Sequence, residues 1–99
     1  MNTIQTKGLQ EIPTEFQDKV NERIAHYHAQ YEQKIGTFDE LHVTCKKIHQ
    51  KSENGNPIYE YNANLIIGAK VHHAHAEDYD PIDGINDVLE SIFQRVLKE

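Results

Sequence analysis

Three groups of residues have types and spacings that could do chemistry. His72-His73-Ala74-His75 is the densest. On a strand, His73 and His75 project from one face and Glu77 continues it, a spacing that can chelate zinc or nickel. A metal site wants three or four ligands, and no neighbouring segment obviously supplies the rest. His42 could share the sheet face but belongs to a different strand. The expectation is therefore a solvated polar strand face with no metal and no cofactor. Cys45 is the single cysteine, which excludes an internal disulfide framework and any multi-cysteine zinc site within one chain. It falls at an inward position of an alternating segment, where cysteine behaves as a small inert hydrophobe and not as a nucleophile. There is no glycine-rich phosphate loop, no G-x-S-x-G and no H-E-x-x-H. No enzymatic activity and no small-molecule substrate are expected.

The third group is basic. Lys19, Arg23, His26 and Gln30 follow at i, i+4, i+7 and i+11 and make one stripe on a helix, with Glu15, Asp18 and Glu22 on the opposite flank. Such a stripe is either an ordinary solvated face or a set of phosphate contacts. Near the C-terminus Ser91, Arg95 and Lys98 share a flank, while Asp80, Asp83 and Asp87 crowd the start of the same helix. Acid at the N-terminal end and base at the C-terminal end suit the helix dipole without any ligand. Arg95 and Lys98 remain open to RNA.

The elements that must position these groups can be read from periodicity. Ile4 to Leu9 is a short strand whose register is undetermined, because its two apolar ends do not share a period-2 face. Pro13-Thr14-Glu15 opens a helix in which Phe16, Val20, Ile24, Tyr27 and Tyr31 fall within an arc of roughly 80°. Gly36 stops it. Leu41, Val43 and Cys45 alternate with His42, Thr44 and Lys46 as a half-buried strand. Asn54-Gly55 sits in a polar loop closing a hairpin. Tyr59, Tyr61, Ala63, Leu65 and Ile67 form the inward face of the next strand, Gly68-Ala69 turns, and Lys70 to Glu77 is the last strand. Asp80-Pro81 begins a final helix with Ile82, Ile85, Leu89, Ile92, Phe93 and Val96 on one side. The order β-α-β-β-β-α with two one-sided helices predicts an α+β fold, a two-layer sandwich of a four-stranded sheet with both helices packed on one face.

Ninety-nine residues, 37% hydrophobic and 26% charged, leave room for one domain spanning 1–99. No apolar run is long enough to span a bilayer, and Met1 to Lys7 lacks the apolar stretch of a secretory signal, so a cytoplasmic protein without a membrane partner is expected. Ten Lys and Arg against sixteen Asp and Glu give a net charge of −6, which opposes generic nucleic-acid binding. Most of the excess is C-terminal, since residues 78–99 hold six acidic groups and two basic ones. Seven histidines are a reserve of positive charge: all protonated, they would carry the formal charge from −6 to +1.

The whole chain resembles the ribosome hibernation-promoting factor family, also called ribosome-associated inhibitor, protein Y or sigma-54 modulation protein, in its short form. The stretch that carries the resemblance runs from Tyr61-Asn62-Ala63-Asn64-Leu65 through His73-Ala74-His75-Ala76-Glu77-Asp78-Tyr79-Asp80 to Ile85-Asn86. Gly84-Ile85-Asn86 stands where the family usually has alanine-isoleucine-aspartate. The phasing Ile12 to Phe16 to Val20 and the strand Leu41-His42-Val43-Thr44-Cys45 also match. The resemblance implies a cofactor-free protein that binds small-subunit ribosomal RNA in the mRNA–tRNA channel and inhibits translation under stress or in stationary phase. Arg23, His26, Lys46 and Lys98 match basic positions of the family, whereas Ser91 and Gln94 stand where Lys or Arg is usual and Pro81-Ile82 replaces a methionine-tyrosine pair. The expected RNA contacts are therefore Lys19, Arg23, His26, Lys46, Arg95 and Lys98. An alternative from a different class is an interaction module on the same fold that no longer binds ribosomes and meets a protein partner through the acidic surface of the last helix.

Overall fold

The computed structural model describes residues 3–51 and 57–98, with the side chains of 49–51 excepted. The Asn54-Gly55 turn lies outside the described residues. The elements are β1 (Thr3–Lys7), a 3-10 turn (Leu9–Glu11), α1 (Thr14–Lys34), β2 (Glu40–Lys51), β3 (Pro57–Ile67), β4 (Lys70–Asp78) and α2 (Pro81–Lys98). The sheet order is β1-β2-β3-β4, with β1 parallel to β2 and the other two pairings antiparallel. This is the α+β sandwich expected from the periodicity.

The first strand is shorter than its sequence pattern implied. Gly8 adopts a left-handed φ of 83°, ends the strand and turns the chain into the 3-10 turn that carries Leu9. The mismatch between Ile4 and Leu9 thus reflects two elements, not one. Gly8 also lies so close to β2 that a Cβ would run into the Cys45 carbonyl oxygen.

Alternation places Leu41, Val43 and Cys45 of β2, Tyr59, Tyr61, Ala63 and Leu65 of β3, and Ala74 of β4 in the core. They meet Val20, Ile24 and Tyr31 of α1 and Ile85, Val88, Leu89, Ile92 and Phe93 of α2. Phe16, Tyr27, Ile67 and Ala76 pack against this cluster while partly exposed. Ile12, one turn ahead of Phe16 in the α1 phasing, is buried, and so is Phe38, which lies outside any periodic pattern.

Tyr31 joins the two helices. Its ring stacks on Phe93 with centroids 5.6 Å apart, and its hydroxyl donates to the Leu89 carbonyl at 2.6 Å. Phe38, arriving from the loop after α1, closes the same cluster edge-on to Tyr31 at 6.2 Å. At the start of α2, the Asp80 carboxylate accepts the backbone N–H groups of Ile82 at 2.9 Å and Asp83 at 3.3 Å, and Pro81 occupies the first helical position.

Candidate nucleic-acid interface

The apolar stripe of α1 determines where its cations go. With Val20, Ile24 and Tyr31 buried, the neighbouring flank turns outward and Lys19, Arg23 and His26 are all exposed. They line one open groove of about 480 Å³ with Ile82 from the first turn of α2 and with Glu22. Glu22 does not lie on the opposite flank as the sequence suggested, because it is one turn from both Lys19 and His26. The sequence stripe is therefore a single surface, floored on one side by an apolar residue of the second helix.

Carboxylates of α2 act on Tyr27, next to this stripe. Tyr27, partly buried beside the stripe, has its phenol pKa raised first by burial, then by a hydrogen bond and the charge of Glu90, with Asp87 adding to the rise and Arg23 opposing it. Asp87 and Glu90 of α2 are thus felt across the helix pair. His26 sets its ring edge-on to Tyr27 with centroids 5.6 Å apart. What the groove offers is a row of cations on α1 with one carboxylate, Glu22, among them. A phosphate would sit on the α1 side, where both the Arg fork and the Lys ammonium are solvent-facing donors.

The other expected contacts lie elsewhere. Arg95 donates to the backbone carbonyl of His73 and so leans over the outer edge of β4. It also borders a shallow depression on the outer side of α2 with Asp87, Glu90, Ser91 and Gln94. Lys98 is exposed in the last helical turn, where both it and Arg95 offset the negative end of the helix dipole. Lys46 follows buried Cys45 on β2, so it projects from the sheet face away from the helices, opposite Glu60 of β3. The six residues occupy three surfaces: the α1 groove, the outer side of α2 and the open face of the sheet. Only Lys19, Arg23 and His26 come together.

Cys45 is 2% exposed, and burial pushes its thiol up to about 12, with the charge of Glu11 adding to the rise. At the start of α2, Asp83 is raised by the charge of Asp80 foremost, then by desolvation and by Asp78 and Asp87, which marks this end as a crowd of carboxylates. Among the described residues, no helix is long and apolar enough to cross a membrane.

The histidines of β4 are split by alternation. His72 points into the core, while His73 and His75 lie on the open face. There they bond with asparagines of β3: Asn64 Oδ1 lies 2.7 Å from His73 Nδ1, and Asn62 Oδ1 lies 3.0 Å from His75 Nδ1. These cross-strand pairs were not legible in the sequence, because they depend on the β3–β4 register and not on local spacing.

No family model matches the sequence, and no curated protein matches it either. Among solved structures, that of a ribosomal subunit interface protein from Coxiella burnetii is similar with a TM-score of 0.67, covering 99% of this chain and 96% of that one, at 13% sequence identity. At that identity the likeness establishes a shared fold along the whole length of both chains.

Proposed function

We propose that this protein is a ribosome-associated translation inhibitor of the hibernation-factor kind, acting in the cytoplasm by occupying small-subunit ribosomal RNA and not by catalysis. The observation that carries the reading is the gathering of Lys19, Arg23 and His26 in one exposed groove on a fold shared end to end with a ribosomal subunit interface protein. The resemblance of the sequence to the hibernation-promoting family supports it further. Non-catalytic action is supported by the burial of the one thiol, Cys45. Lys46, Arg95 and Lys98 would add contacts only if the RNA wraps around more than one side of the molecule.

Co-sedimentation with purified 30S subunits through a sucrose gradient tests the reading. The wild-type chain should travel with the subunit at low salt. Arg23→Glu should remain in the top fractions, with its circular dichroism unchanged because the position is exposed. Failure of the wild type to co-sediment, or indifference to Arg23→Glu, would overturn the proposal. The acidic start of α2, crowded enough to raise Asp83, favours a protein partner in that event.

A further inference from the structure

We propose that the open face of the sheet carries a binding site for a divalent transition metal of the zinc type, formed by Glu60, His75 and Glu77. The one ligating atom that each residue offers lies within 4.8 Å of those of the other two. A small rotation of these surface side chains would bring three such atoms around a single ion. The sequence alone offered His75 and Glu77, and the third ligand comes from the neighbouring strand. The register sets Glu60 directly opposite Glu77 and Asn62 directly opposite His75.

Two further features of the arrangement favour a cation. Like charges directly opposite one another on antiparallel strands repel, so the Glu60–Glu77 pair costs stability unless something positive lies between them. Lys46 faces Glu60 from β2, on the side away from Glu77. It competes for the Glu60 carboxylate without separating the pair.

The second feature is Asn62, which is bonded to two of the three ligands. Its Nδ2 donates to Glu60 Oε1 at 3.0 Å, leaving Oδ1 to face His75 Nδ1 at 3.0 Å. An amide oxygen can only accept, so in the neutral ring Nδ1 carries the proton and Nε2 is the nitrogen left to ligate. A partner that fixes the tautomer and steers the ring is what ligating histidines ordinarily have. His73 has a comparable asparagine in Asn64 but stands outside the carboxylate cluster. It serves as an internal control.

One imidazole nitrogen and two carboxylate oxygens suit zinc better than the hard cations, which prefer oxygen alone, and better than soft ions, which prefer sulfur. Three protein ligands leave a coordination position for water or a partner's donor. Glu60 is half-buried and the other two ligands are exposed, so this is a surface site.

The test is a titration of the tag-free full chain with zinc chloride, followed by calorimetry and by imidazole nitrogen NMR. The expected result is one zinc per chain, with the His75 Nε2 resonance moving and that of His73 unmoved. His75→Ala and Glu60→Gln should each weaken binding by about 10-fold or more, and Asn62→Ala should weaken it in the same direction. His73→Ala should leave it unchanged. Zinc should raise the melting temperature of the wild type and not of Glu77→Gln, whose apo form melts cooperatively. Binding that survives His75→Ala and Glu60→Gln, equal shifts at His73, or no binding at millimolar zinc would each overturn the assignment.

Discussion

Tyr61 and Gly84 are matched to one another. Tyr61 is fully buried under the start of α2, and a Cβ on Gly84 would overlap its ring. A tyrosine of this volume on β3 therefore requires the glycine where alanine is usual in the resembling family. Gly84→Ala should destabilise by about 1–3 kcal/mol through overpacking, read from urea midpoints. Among the described residues, the buried Tyr61 hydroxyl has no hydrogen-bond partner. Tyr61→Phe keeps the ring and removes that group, so it should be neutral or stabilising by about 1 kcal/mol. Loss of stability in Tyr61→Phe would mean that the hydroxyl is satisfied in solution. Cys45, Tyr31 and Tyr61 share a further consequence of burial: each is raised above its ordinary pKa, Cys45 to about 12, because desolvation disfavours the anion. Groups raised on folding contribute stability that is intact below their unfolded pKa and lost as pH climbs toward the folded value. The melting temperature should thus fall progressively above about pH 9, and native Cys45 should resist alkylation at pH 8 until urea is added. Its inward placement was legible from two flanking alternations. The ligand cluster of Glu60 with His75 was not, since the two are separated by 15 positions in the sequence (60 to 75) and joined only by register.

At the level of elements, the long amphipathic patterns identified α1, β2, β3, β4 and α2, each burying one continuous face. But β2 runs on to Lys51 and β3 begins at Pro57, so the hairpin pairing extends beyond the alternation that ends at Lys46. The departures fall where no period exists. Phe38 is a single apolar residue between polar neighbours, and only its tertiary packing edge-on to Tyr31 explains its burial. The strand-to-turn change at Gly8 follows from the close passage of the backbone over Cys45, a long-range contact. The start of α2 was better marked, with an aspartate before proline. Asp80 accepts two helix N–H groups although it stands among Asp78, Asp83 and Asp87. The cap and the repulsion oppose each other, and the cap is the larger because it satisfies donors that otherwise lack partners. Asp80→Ala should therefore cost about 1 kcal/mol despite removing a charge from an acidic cluster. Asp83→Asn, which relieves repulsion without touching the cap, should instead stabilise slightly. Thermal melts of the two variants distinguish these signs.

For the whole molecule the question is how a chain of net charge −6 could hold ribosomal RNA. The mean field repels phosphate, so binding has to rest on local contacts, and the number of those contacts is measurable. Two permanent cations, Lys19 and Arg23, share the α1 groove, while Lys46, Arg95 and Lys98 lie on other surfaces. Each phosphate neutralised contributes up to about 0.9 to the slope of log affinity against log salt. Engagement of the α1 groove alone should give a slope of about −1.8, and engagement of all five cations about −4.5. The separation of the cations over three surfaces leads us to expect the shallow value for the proposed 30S complex. Glu22 lines the groove among the cations, and its carboxylate opposes phosphate there. Glu22→Gln should consequently tighten binding at low salt with little change in slope, since it removes a repulsion without adding a cation. A steep slope would instead mean that RNA contacts the sheet and outer α2 surfaces as well, and Lys46→Ala and Lys98→Ala should then each flatten it by about one unit.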